Sequence, residues 1–135
     1  MQRPTVVLVD DHPGVLDTIR EITEIDFDVL AAVNNGEMAV KVVRTLKPDI
    51  VVLDIGLPGM NGFETARHLR QAGLSAKIVF LSVMEDIDYA YAARELGASY
   101  IMKRRMHVDL IAAIKEALKG KLFYSPALRD AFNPE

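Results

Sequence analysis

The stretch Ile50-Val51-Val52-Leu53-Asp54-Ile55-Gly56-Leu57-Pro58-Gly59-Met60-Asn61-Gly62 joins a short apolar run, a terminal carboxylate and a glycine-punctuated loop. Ile50 to Leu53 has the length and β-branched bias of a strand buried on both faces. A helical pattern from about Phe63 to Gln71 follows, with Gly73 as its stop. The same order of strand, loop and helix recurs on both sides of this stretch. Thr5 to Val9 is a strand, and Pro13 suits the first position of a helix from about Gly14 to Ile25. Phe27 to Val33 is a second strand, broken by Asn34-Asn35-Gly36, and Glu37 to Leu46 is the next helix. Lys77 to Leu81 is the fourth strand. Asp86 is placed to cap a helix that runs to Leu96 and stops at Gly97. Ser99 to Met102 is a fifth strand, and Val108 to Leu118 a fifth helix. Strict βα alternation predicts an α/β fold, with a doubly wound five-stranded parallel sheet and right-handed crossovers. Only Lys121 to Glu135 falls outside the alternation.

In such a sheet, ligands bind beyond the carboxyl ends of the strands. Those ends carry Asp10 and Asp11, Asp54, Ser82 and Lys103. Singly, each has an ordinary reading: an Asp as turn former or helix cap, a Ser as local hydrogen-bonder, a Lys as solvated charge. Jointly they place three carboxylates, a hydroxyl and an ammonium at one sheet edge. Two unit charges about 4 Å apart repel by roughly 4 kcal/mol at an effective dielectric near 20. The cluster therefore needs a cation or must hold protons. All-oxygen ligands select Mg²⁺ or Mn²⁺, and a carboxylate can serve as a phosphoryl-accepting nucleophile.

Bulk properties narrow the classes. At 135 residues, half of them hydrophobic, the chain is one domain with a real core. The net charge of −3 argues against nucleic-acid binding through overall basicity. The absence of cysteine excludes disulfides, thiolate metal sites and cysteine nucleophiles. There is no signal-peptide pattern and no apolar run of membrane-spanning length, so a cytoplasmic location is expected. A P-loop is absent. Gly56 stands where a dehalogenase-type phosphatase would carry a second acid, and Asp10-Asp11-His12-Pro13 is unsuited to cradling a phosphate anion. His12, His68 and His107 show no metal-ligand spacing and read as surface or loop residues. Arg104 and Arg105 read as a solvated basic spot.

The segments Val9-Asp10-Asp11-His12, Leu53 to Gly62, Leu81-Ser82 and Gly97 to Lys103 together resemble the CheY-like receiver domain of response regulators. The resemblance covers about residues 3 to 120. Asp11-His12-Pro13 and Leu122-Phe123-Tyr124-Ser125-Pro126-Ala127-Leu128 are most similar to NarL/FixJ-type receivers. It implies a flavodoxin-like fold with strand order 2-1-3-4-5, a receiver over residues 1–120, and a tail or linker start over 121–135. It further implies that Asp54 is the phosphoacceptor and that Asp10, Asp11, Asp54 and the Gly56 carbonyl hold Mg²⁺ or Mn²⁺. Ser82 and Lys103 would bind phosphoryl oxygens, and Ser82 with Tyr100 would form the switch.

The implied partners are a sensor histidine kinase and, on activation, a second copy through the face made by the fourth helix, fifth strand and fifth helix. DNA would be contacted only through an output domain outside this chain, and no membrane is involved. The implied role is a signalling phosphoacceptor rather than an enzyme with a separate substrate. A phosphorylation-independent interaction module is the alternative. Gly56 and Met84 occupy positions that commonly tune phosphoryl lifetime in the family, so that lifetime is left open. Arg104 stands where many receivers have proline.

Overall fold

The computed structural model describes residues 3–132. In chain order the elements are β1 (Thr5–Val9), α1 (Pro13–Glu24), β2 (Asp28–Val33), α2 (Gly36–Leu46), β3 (Ile50–Asp54) and α3 (Gly62–Gln71). Then come β4 (Lys77–Ser82), α4 (Ile87–Glu95), β5 (Ser99–Met102), a 3₁₀ turn (Lys103–Arg105), α5 (Met106–Leu118) and α6 (Pro126–Phe132). All strand pairs are parallel, in the order β2-β1-β3-β4-β5. The expected five units and their order are therefore present, with ends shifted by a residue or two. Phe27 is one such shift: its N–H bonds back to Thr23 O of α1, so β2 begins at Asp28.

Side chains along the strands alternate between two apolar layers, as the period of two requires. Val7, Val9, Val51, Leu53, Ile78 and Phe80 pack with α2, α3 and α4. Val6, Leu8, Ile50, Val52, Val79, Leu81 and Ile101 pack with α1 and α5. The starts of α2, α3 and α4 are fixed by short polar side chains. Asn35 Oδ1 accepts from Met38 N, and Asn61 with Glu64 forms a reciprocal capping box. Asp86 caps α4 as its position predicts.

Gly62 sets the loop after β3. A Cβ there would collide with the Asp54 carbonyl and Ile55 Cα, and its N–H donates to Ile55 O at 2.9 Å. The start of α3 thus sits directly on the backbone that carries Asp54. Residues 123–128 also belong to the packed body. Tyr124 bridges in parallel to Tyr100, and Ser125 and Leu128 are buried.

Candidate functional site

Asp10, Asp11, Asp54 and Lys103 converge at the carboxyl edge of the sheet, as the strand-end pattern predicts. Strand pairing puts Leu53 beside Val9, and Leu81 beside Asp54. The Asp10 side chain is fully buried, and Asp54 is 4% exposed. Lys103 Nζ lies 2.8 Å from Asp10 Oδ2 and 3.4 Å from Asp54 Oδ2. Asp10 Oδ1 accepts the His12 N–H at 2.9 Å, a local turn that starts the loop into α1. Gly56 N–H donates to Asp54 Oδ1 at 3.2 Å, and Gly56 has no side chain to cover the carboxylate.

The pocket is short of positive charge and of donors. Burial, and then the neighbouring Asp10 charge, push the Asp54 carboxyl above the usual carboxylate range; Lys103 and the Gly56 N–H oppose this. Asp10 Oδ2 and Asp11 Oδ1 are buried without a hydrogen-bond partner. Lys103 supplies charge near the first of these without hydrogen-bond alignment. Candidate ligand atoms of Asp10, Asp11, His12 and Asp54 all lie within 4.8 Å of one another. Clustered carboxylate oxygens, two of them buried without hydrogen bonds, fit a hard divalent cation.

Ser82 is buried at the end of β4, one residue beyond the partner of Asp54. Its Oγ accepts from Met84 N at 3.0 Å. Tyr100 is fully buried and its hydroxyl donates to Met84 O. Burial pushes that phenol up to about 12. The backbone of Met84 therefore ties Ser82 to Tyr100 through its N–H on one side and its carbonyl on the other. Sequence reading could not show this link, because it runs through main-chain atoms of a loop.

His12 is an exposed loop residue, as expected, and its Nδ1 lies 3.1 Å from Asp11 Oδ1 and 3.4 Å from Asp10 Oδ1, because the Asp10 turn folds the loop back over the cluster. One expectation needs correction. Arg105 is not simply solvated. Its guanidinium forms a fork on the buried Asp109, with Nε to Oδ2 at 2.9 Å and Nη2 to Oδ1 at 3.2 Å. Arg104 is the exposed member and pairs with exposed Glu85. The i,i+4 spacing of Arg105 and Asp109 was a legible signal for the first pair.

A parallel sheet in this order, with an acidic pocket at the strand ends, defines the CheY-like receiver class. The model for the response regulator receiver domain matches residues 6–115. The nitrate/nitrite response regulator protein NarL of Escherichia coli (strain K12) is 35% identical over 127 residues, 92% of this chain and 59% of that protein. The DNA-binding transcriptional activator EvgA of the same strain is 34% identical over 120 residues, 87% of this chain and 59% of that protein. The crystal structure of a LuxR-family two-component response regulator from Aurantimonas sp. SI85-9A1 superposes with a TM-score of 0.92. It is 33% identical, and the match covers 98% of this chain and 97% of that one. The chain belongs to the response regulator receiver domain family of two-component systems. It spans about three-fifths of NarL and EvgA, 59% of each. No described helix is long and apolar enough to cross a membrane.

Proposed function

We propose that this receiver is a phosphorylation-dependent switch that accepts a phosphoryl group on Asp54 from a sensor histidine kinase. One observation carries the reading: a buried Asp54 carboxylate beside Asp10 and Lys103, with two further buried carboxylate oxygens around it that make no hydrogen bond. A carboxylate oxygen of Asp54 attacks phosphorus while the bond to the donor imidazole nitrogen breaks, and the leaving imidazole takes a proton. Asp11, Asp10, Asp54 and the Gly56 carbonyl would hold Mg²⁺, which when bound would neutralise charge on the carboxylates and the phosphoryl oxygens. Gly56 N–H orients Asp54 Oδ1. Lys103 turns from Asp10 toward the incoming oxygens, since it already lies within 3.4 Å of Asp54. Positioning and charge neutralisation supply the rate.

The switch follows from the Met84 link. For the Ser82 hydroxyl to bind a phosphoryl oxygen, it must give up the Met84 N–H. The loop then moves, and with it the carbonyl that holds the Tyr100 hydroxyl. This biases the surface around α4 and β5 between two arrangements. The output is homodimerisation or control of an output domain, with transcription as the end point, in line with the name of EvgA, a DNA-binding transcriptional activator.

The test is intact mass after incubation with Mg²⁺ and acetyl phosphate. One phosphoryl adduct is expected on the wild type and none on Asp54→Asn or with a chelator. A wild type that takes up nothing from acetyl phosphate or from a phosphorylated kinase domain would instead be a phosphorylation-independent module.

A further inference from the structure

The edge of β5 is covered by the chain's own C-terminal segment. Tyr100 N–H donates to Phe123 O at 3.0 Å, Ser125 N–H to Tyr100 O at 3.2 Å, and Phe123 N–H to Ser99 Oγ at 2.9 Å. Farther along, Phe132 packs edge-on against Tyr91 of α4 and against Tyr124, with the Arg94 guanidinium 4.6 Å from its ring centre. So part of the α4–β5 surface is already occupied.

Ser125 is the central contact. It precedes Pro126 at the start of α6, where a serine ordinarily caps with its hydroxyl. Here the Ser125 carbonyl accepts from Leu128 N and Arg129 N, while the hydroxyl is used elsewhere. It accepts the Met102 N–H at 3.0 Å and donates to Asp109 Oδ2 at 2.9 Å. Asp109 is in turn gripped by Arg105. Ser125 is fully buried, so this hydroxyl has no water to substitute for either bond. Met102 is the residue before Lys103, and Lys103 is the cation of the acidic pocket. One hydroxyl therefore joins the C-terminal segment to the backbone next to the site.

We propose that residues 122–132 are a docked regulatory segment of the phosphoryl site, latched by Ser125 and Asp109 and loosened on phosphorylation. The inference rests on Asp54 being the phosphoacceptor. Lys103 now sits nearer Asp10 than Asp54. Drawing its ammonium to a phosphoryl group on Asp54 shifts the Met102–Lys103 backbone and lengthens the Met102 N–H contact to Ser125. The segment then lifts from β5 and α4, uncovering Tyr91 and the β5 edge for a partner. In the other direction, undocking the segment frees the strand end that carries Lys103. Ser125 and Asp109 are positioning residues in this scheme, with no contact to the phosphoryl group.

The experiment is hydrogen–deuterium exchange of the whole chain with and without Mg²⁺ and acetyl phosphate, with intact mass read on the same samples. In the wild type, peptides over 122–132 should exchange about 10-fold faster once the adduct forms, a coupling within the usual range for linked sites. Ser125→Ala should still form the adduct, exchange fast in this segment beforehand and show no further change. Arg94→Ala, which weakens the α6 stacking but leaves the latch intact, should start faster yet still respond; it keeps the test decisive if Ser125→Ala does not fold. An adduct on the wild type with unchanged exchange over 122–132 overturns the latch and leaves the phosphoacceptor assignment standing. No adduct on the wild type, from acetyl phosphate or from a phosphorylated kinase domain, overturns that assignment and the latch with it.

Discussion

The Asp10–Asp54 pocket and the Asp109 network both bury carboxylates, and they treat them in opposite ways. Asp109 has every oxygen bonded: Oδ1 to Arg105, Oδ2 to Arg105 and Ser125. The pocket holds more acid with one close ammonium, and it leaves Asp10 Oδ2 and Asp11 Oδ1 without hydrogen bonds. A buried acid with all its bonds made fixes structure. A buried acid short of partners is costly unless something else binds there. The difference separates a residue that builds the domain from residues that wait for a ligand.

The comparison can be broken at its satisfied end first. Asp109→Ala strands the Ser125 hydroxyl and the Arg105 fork, and should cost about 3 kcal/mol in chemical denaturation. Asp10→Ala, at the unsatisfied end, removes repulsion as well as a partner and should change stability by less than about 1 kcal/mol. Equal losses from the two would erase the distinction. Next in size is the cation. Mg²⁺ at about 100 times its Kd should stabilise the wild type by about 2.7 kcal/mol in thermal melts. Asp11→Ala should lose most of that gain.

A smaller effect concerns charge. Asp54→Asn removes repulsion from Asp10 and should raise neutral-pH stability by roughly 1 kcal/mol without Mg²⁺. The sign with pH follows from the raised Asp54 pKa. Between the ordinary carboxylate value and the raised one, the folded wild type holds the proton that the unfolded chain has lost. Wild-type stability therefore improves as pH falls through the raised value, and the advantage of Asp54→Asn shrinks. Melting curves of both proteins across mildly acidic pH check this. Of similar size is Tyr100→Phe, which deletes the bond to Met84 O and should cost about 1 kcal/mol in denaturant. It should leave adduct formation at Asp54 intact, because the ring lies outside the acidic pocket.

The fold and the acidic pocket were legible because both rest on short-range patterns. β-Branched runs such as Ile50 to Leu53 announced strands, and the βα alternation brought Asp10, Asp54 and Lys103 to one edge. Asp86, Gly73 and Gly97 marked helix ends for local reasons of capping and positive φ. What escaped was long-range or main-chain. The Ser125–Asp109 bond spans sixteen residues and depends on how the tail returns to β5. The Met84 link uses backbone atoms, on which side-chain identity is silent. His12 sits in a turn whose direction is set by a single hydrogen bond to Asp10.

Locating the phosphoryl group tests the reading of the pocket most directly. Wild type would be treated with Mg²⁺ and acetyl phosphate, reduced with borohydride, digested and sequenced by mass spectrometry. Aspartyl phosphate is reduced to homoserine under these conditions. Homoserine at position 54, and at no other acidic position, is the predicted result. Homoserine at position 10 or 11, or phosphoserine at Ser82, with Asp54 unmodified would contradict it.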